Sequence, residues 1–522
     1  MRHYLAFTTA LVVGAMAFTP LVAQDAHQGG VFTFAAESDP PTFDCHSATD
    51  FYSTQHLSPH YSTLLRYVPG NYPEITGDLA ESWEVSEDSL TYTFKIHDNV
   101  QFHDGTPLTS ADIKASYERI IDPPEGVVSP RQSELLDIAS VETPDDTTVV
   151  FQLSEVNPGI LDSLASPWNC IYSAKLLAEN PDYPARMVMG SGPFVFEEFV
   201  PGSHWRGSRF EAFHREGKPH LDGFEIKRMD TSAIVNAFSA GQIQGYFRPL
   251  SPPNARQIES ARGDEVQFQK TPSVGMNLLV FNSSQPPLDD PRVRRALALA
   301  VDQRAGASVL GQTSTTGLVG GLLRPGYSMA LTPEELAEMP GFGEDVEAAR
   351  EEARRLLQEA GQTNLTIDIL SRKQNSHTAG AVFIAEQWQR IGVSAKVTYS
   401  DNPTTFQRQG NFQAAIDFNL ANTDDPSVLF VKYLPDSPNN YGLYEDAQLE
   451  ELFEAQKRTL DPAEREEIVH DFERRVLQEA YYIPLFWTER IIALSSDVGG
   501  FESAPPLEVE QSLENLWIAG ED

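Results

Sequence analysis

Cys45 and Cys170 are the only cysteines in the chain, and two thiols can pair as one disulfide, act as nucleophiles, or sit buried and unpaired. His56 and His60 have the i, i+4 spacing with which a helix offers two imidazoles to one metal ion. Pro59 between them argues against a regular helix, so surface-loop histidines are expected instead. His97 and His103 flank a turn without completing a ligand set. Asp plus Glu number 75 against 38 Lys plus Arg, so closeness of two carboxylates in sequence carries almost no information about acid–base pairs. The patterns that would organise such groups into a catalytic centre are missing: there is no G-x-S-x-G elbow, no H-E-x-x-H helix, no phosphate loop and no calcium loop. No catalytic set, metal or cofactor is therefore expected. A secreted hydrolase with an unfamiliar site remains the rival class.

The compartment sets the context for the two thiols. Arg2 stands in a short basic segment, residues 5–21 are largely apolar, and small residues surround Ala23, which is the layout of a secretory signal over residues 1–23. Thr8, Thr9, Thr19 and Pro20 weaken that run as a membrane anchor, and no cysteine follows the expected cleavage point to carry lipid. A soluble, exported, periplasmic protein is expected. In an oxidising compartment a Cys45–Cys170 disulfide is then the favoured pairing, with two buried thiols as the alternative. A net charge of −37 repels nucleic acid and anionic lipid at long range, and reflects either a solvated carboxylate surface or adaptation to a salty exterior. With 522 residues and 41% hydrophobic content, the chain has enough core for two or more lobes.

Elements able to position a site follow from periodicity. Residues 31–35 form a short β-rich run, and residues 89–96 alternate Leu, Tyr, Phe and Ile at every second place, as in a half-buried strand. After the Asp98-Asn99 turn, residues 110–120 repeat at helical spacing behind a Ser110 or Thr109 cap. Helices are expected from Asp290-Pro291 onward, over 345–360 with a Gly361 stop, over 378–391, and as a pair over 445–459 and 462–479, with a strand at 394–398. Strands alternating with such helices imply α/β lobes whose sheets are covered by helices.

Residues 80–96, AESWEVSEDSLTYTFKI, followed by 100–109, VQFHDGTPLT, and Asp112, closely resemble the signature of the family 5 extracellular solute-binding proteins. The motif reads physically as a strand, a tight Asp-Gly turn and a capped helix, so His103 and Asp104 are structural and not a catalytic pair. Further blocks follow in the family's order: Gly190-Ser191-Gly192-Pro193-Phe194, residues 217–222, Phe281-Asn282 with residues 288–297, residues 356–361, and Ile483-Pro484-Leu485. The resemblance implies an α/β, two-lobe periplasmic binding protein fold of type II, large class, with an extra inserted domain and a ligand cleft between lobes. It places lobe I over 28–65, 188–275 and 488–522, the insert over 66–187, and lobe II over 276–487. It implies a monomeric receptor of an ABC importer that captures a peptide or peptide-like solute and delivers it to an inner-membrane permease. Other members take nickel, haem, opines or oligosaccharides, so a non-peptide ligand stays open.

The resemblance also points to site residues. Peptide-binding members anchor the ligand's amino terminus with an aspartate four residues before the proline of an acidic Asp/Glu-Pro element. Here that element is Asp425-Pro426, and the anchor position holds Asn422, with Asp424 or Asp425 able to act from a shifted place. Arg372, after Ile369-Leu370-Ser371, lies within a residue of the arginine that dipeptide-binding members use, and is either a carboxylate clamp or a surface residue. Phe51 and Tyr52, opposite Phe418 and Asn419, are the remaining candidates for the cleft wall, or else core.

Overall fold

The computed structural model describes residues 26–312, 314–421 and 423–520. The leader expected over 1–23 and the candidate Asn422 lie outside the described residues. Two long strands organise the chain. Val266–Phe281 and Tyr482–Ser495 are antiparallel neighbours inside an 11-stranded sheet, and each is two to three times the usual strand length because it serves two lobes in turn. In one lobe, residues 266–272 pair with 495–489. Beyond them lie Gly245–Tyr246, Val31–Ala36, Gly223–Arg228, His204–Arg209 and Phe194–Val200. In the other lobe, residues 276–280 pair with 487–482, and the sheet continues outward through Ala414–Leu420, Thr366–Arg372 and Ser394–Ser400.

The register jumps where the lobes meet. Pro272 faces Glu489 and Met276 faces Trp487, so residues 273–275 share the single intervening partner Thr488. Pro272 has no N–H to give the ladder, and such a bulge bends the strand and increases its twist. Gly275 completes the bend: a Cβ there would sit 2.8 Å from the Phe418 ring, closer than packed atoms tolerate.

The motif that carried the resemblance builds a separate four-stranded antiparallel sheet, Ala80–Val85, Thr91–Ile96, Thr148–Leu153 and Ile138–Asp145 in spatial order. Tyr92, Phe94 and Ile96 are the buried set of the alternating strand, as period-two burial requires. Helix Ser110–Ile121 opens with a capping box in which the Thr109 N–H donates to the Asp112 carboxylate at 2.7 Å, and it lays Ile113, Tyr117 and Ile120 onto that sheet's core. In the lobe holding residues 276–487, helix Asn375–Gln389 buries Trp388, whose indole N–H donates to the Leu297 carbonyl at 3.0 Å.

Three small sites are settled by local chemistry. The surface-loop expectation for His56 and His60 is overturned: Phe51–Leu57 is a helix, Ser58–His60 a 3-10 turn, and both imidazoles are buried. Pro59 is accepted there because it stands at the start of the turn, where a backbone N–H has no partner. His60 Nδ1 donates to the Phe194 carbonyl at 2.7 Å while Nε2 accepts the Trp205 indole N–H at 2.9 Å, and burial pushes the ring down to about 3. His56, hydrogen-bonded to the Tyr52 carbonyl at 2.6 Å, is pushed down by burial to about 4. Both are neutral core groups. His103 and Asp104 are turn residues, the imidazole meeting the Gly192 carbonyl at 3.0 Å and the carboxylate accepting from the Thr106 N–H at 2.9 Å. Cys45 and Cys170 are bonded to each other, tying the segment after Val31–Ala36 to the end of the inserted region. Among the described residues no helix is long and apolar enough to cross a membrane, and no group of three or more His, Cys, Asp and Glu is arranged to hold a metal ion.

Candidate functional site

The bend at residues 273–275 and 488–489 forms the floor of a cleft of about 980 Å³ between the two lobes. Strands Thr366–Arg372 and Ala414–Leu420 run parallel, and their carboxyl ends open onto it, the place where open α/β sheets present ligand-binding groups. That polarity explains why Arg372, Phe418 and Asn419 all reach the cleft wall. Phe418 lies 6.3 Å from the His377 ring, and the Asn419 amide donates to Tyr433 Oη at 3.3 Å. Lys432, from a neighbouring turn, pairs with Asp417 at 2.7 Å beneath the Tyr441 ring.

On the facing wall stand Arg131 and Trp168 from the inserted region, then Arg248, Arg490 and Glu508. Phe51 and Tyr52 are not in this wall. Phe51 is buried in the lobe's core, Tyr52 donates to Glu37 at 2.9 Å, and the two rings support the Arg248 guanidinium at 5.6 and 5.5 Å from their centroids. They position a cleft residue from behind. Sequence reasoning missed Arg248, Arg490, Arg131, Lys432 and Glu508. One signal was present: Thr488-Glu489-Arg490 interrupts the otherwise apolar run Tyr482–Ser495, and a polar triplet within a central strand marks where that strand leaves the core. No comparable local pattern marks Arg248. A separate cavity of about 70 Å³ is lined by Arg66, Asp78, Arg215 and Glu514, which are joined by ion pairs, together with Glu508 and Glu510.

Residues 74–441 match the family model described as bacterial extracellular solute-binding proteins, family 5 Middle. The chain belongs to that family. Among curated members it is similar to the probable D,D-dipeptide-binding periplasmic protein DdpA of Escherichia coli K12, at 26% identity over 97% of this chain and 98% of the relative. It is also similar to the glutathione-binding protein GsiB of the same strain, at 25% identity over 93% and 94%. Among solved structures, the transporter substrate-binding protein CtaP of Listeria monocytogenes superposes with a TM-score of 0.82 at 24% identity, covering 94% of this chain and 100% of that one. The binding protein AgaA of A. tumefaciens R10, solved with agropinic acid, gives a TM-score of 0.73 at 28% identity, covering 94% and 99%. The cleft of this family 5 protein is thus a solute site set between two lobes.

Asp424 and Asp425, the carboxylates that follow Asn422 in sequence, are both taken. Asp424 receives Arg324 in bidentate fashion, at 2.9 and 3.1 Å from Nε and 2.7 Å from Nη2, and both side chains are almost fully buried. Asp425 caps helix Pro426–Leu429 by accepting the Ser427 N–H at 2.8 Å, and is held by Arg465 at 2.9 Å. Neither has a free charge for a ligand ammonium.

These pairs also meet the inserted region. The Asp424 N–H donates to Tyr72 Oη at 3.1 Å, a Cβ on Gly159 would lie 3.2 Å from Asp425 Oδ1, and Asp162 accepts from Tyr67 Oη at 3.4 Å. Burial, then the charge of Asp425, pushes Asp162 up to about 7, while Arg465 works against the shift and Asp424 adds to it. A carboxyl raised above its unfolded value near 3.8 is protonated in the folded state first, so folding loses stability as pH rises from about 4 to about 7 and stays at that deficit above. Asp162→Asn should therefore be more stable than wild type at pH 8, with the advantage shrinking toward pH 4. Urea unfolding at three pH values measures this, and an advantage independent of pH would contradict it.

Proposed function

We propose that this protein captures a peptide or peptide-like solute in the interlobe cleft and hands it, chemically unchanged, to the membrane permease of an ABC importer. The observation that carries the reading is the cleft itself. Its walls come from two lobes joined through the bent strands, so a bound solute contacts both walls and favours the closed arrangement by its differential affinity. Closure turns about residues 272–276 and 487–489, which divides the chain into lobe I (28–65, 188–275 and 488–522, carrying the insert 66–187) and lobe II (276–487). The names of DdpA and GsiB, a D,D-dipeptide binder and a glutathione binder, support a peptide-like ligand. The agropinic acid complex of AgaA supports a second reading, an acidic opine-like solute, which the basic residues of the cleft favour. Export through a cleavable leader into the periplasm, without lipid, completes the proposal.

Thermal-shift screening over peptides, acylated peptides and opines tests the receptor reading, since a ligand at about 100 times its dissociation constant stabilises the fold by roughly 2.7 kcal/mol. Small-angle scattering of the hit should show a smaller radius of gyration, and mass spectrometry should recover the ligand intact. Recovery of a cleaved product would move the protein to the hydrolase class.

A further inference from the structure

We infer that the solute selected by this cleft is a di- or polyanion, bound through oxyanion groups at both lobes. The inference rests on the receptor reading and names its ligand class.

The chain as a whole carries −37, yet its cleft reverses the sign. Five basic side chains face it, Arg131, Arg248, Arg372, Lys432 and Arg490, against three acidic ones, Asp417, Glu489 and Glu508. Asp417 is neutralised by Lys432. Burial pushes the Glu508 carboxyl up, and Arg490, lowered by burial to about 10, remains a cation. Among the described residues, no carboxylate lies within ion-pair distance of Arg248, Arg372 or Arg490. Glu37 and Glu508 act on Arg248, and Glu508 on Arg490, only from beyond ion-pair distance, so an anionic ligand is the group that can meet these guanidiniums directly.

The arginines are also held ready. Arg248 lies over Phe51 and Tyr52, and a guanidinium stacked on rings keeps its N–H edges for in-plane acceptors such as carboxylates. Arg490 is fixed by Ser503 Oγ, at 3.1 Å from Nε and 2.6 Å from Nη2, and by the Ala504 carbonyl. These two belong to one lobe, and Arg372, at the end of its strand, belongs to the other. Closing an empty cleft brings cations toward cations, and an anion with charges at two ends turns that repulsion into attraction across both walls. That is the differential affinity a closing receptor needs. The carboxylates of the expected amine-anchor segment offer nothing to an amine, since Asp424 and Asp425 are consumed by Arg324 and Arg465, and Glu489 and Glu508 are the cleft carboxylates without an ion pair among the described residues.

Calorimetry and small-angle scattering on the full mature protein, with three probes, decide the matter: N-acetyl-Asp-Glu, its uncharged counterpart N-acetyl-Asn-Gln amide, and Lys-Lys. The triacid should bind at least 100-fold more tightly than the neutral probe and compact the protein. Its affinity should fall steeply between 50 and 500 mM salt. Arg248→Gln and Arg372→Gln should each weaken the triacid at least tenfold and leave the neutral probe unchanged, a contrast that a folding defect would not produce. Equal or tighter binding of the neutral or cationic probe, with compaction, would overturn the anionic class while leaving the receptor reading intact. Failure of all three probes to bind or compact the protein would overturn both.

Discussion

Replacing Arg324 with methionine should cost the fold about 3–5 kcal/mol, the range for removing one partner of a buried ion pair and stranding the other. Asp424 is 1% exposed, and burial already pushes its carboxyl upward, with Arg324 the main influence working against that shift. Without the guanidinium the carboxyl rises further and folds in its neutral form. A carboxyl whose folded value is raised loses stability as pH climbs above the unfolded value of about 3.8, so the deficit of Arg324→Met should be larger at pH 8 than at pH 5. Loss of packing alone would give the same deficit at both. Adding Asp424→Asn to the arginine replacement should recover much of the loss, because no buried charge is then left unpaired. Urea unfolding of the single and double variants at the two pH values is the measurement. A pH-independent loss with no recovery in the double variant would show that the pair contributes through shape alone.

Removing the disulfide, as Cys45→Ala with Cys170→Ala, should lower stability by about 2–5 kcal/mol. The crosslink joins residues 125 apart, and on the chain-entropy account a loop of that size restricts the unfolded state strongly. Part of the local order should survive, because the same segment is held independently. Arg119 grips Asp44 at 2.6 Å, Tyr172 Oη accepts the Cys45 N–H at 2.8 Å, and Arg131 donates to the carbonyls of Cys45, His46 and Ala48. Arg131 and Thr49 line the cleft, so loosening this segment should also weaken ligand binding, in the same direction as the loss of stability. Denatured, unreduced wild type should titrate with no free thiol. Two free thiols, or a double alanine variant as stable as wild type, would contradict the expectation.

What the sequence determined by itself was local. The strand at residues 91–96, the turn after it and helix Ser110–Ile121 were legible because side-chain period and a capping box act within a dozen residues, and they fold to the same answer in context. Arg372, Phe418 and Asn419 came from the family resemblance and not from the pattern of their own residues; the structure places them at the ends of parallel strands, which deliver their carboxyl ends to one side. His56 and His60 were misread because one proline in the window outweighed what no window contains, the Trp205 indole and Phe194 carbonyl that satisfy His60 from more than 130 residues away. Only the tertiary structure decided the charges of the site. Asp424 and Asp425 resemble available anchors until Arg324 and Arg465, 100 and 40 residues distant, fold onto them, and Arg248 becomes a cleft residue only when Phe51 and Tyr52 pack beneath it. Backbone conformation is set by neighbours in sequence. Whether a charged side chain is free or spent is set by which opposite charge shares its desolvated space, and that partner is chosen by the fold.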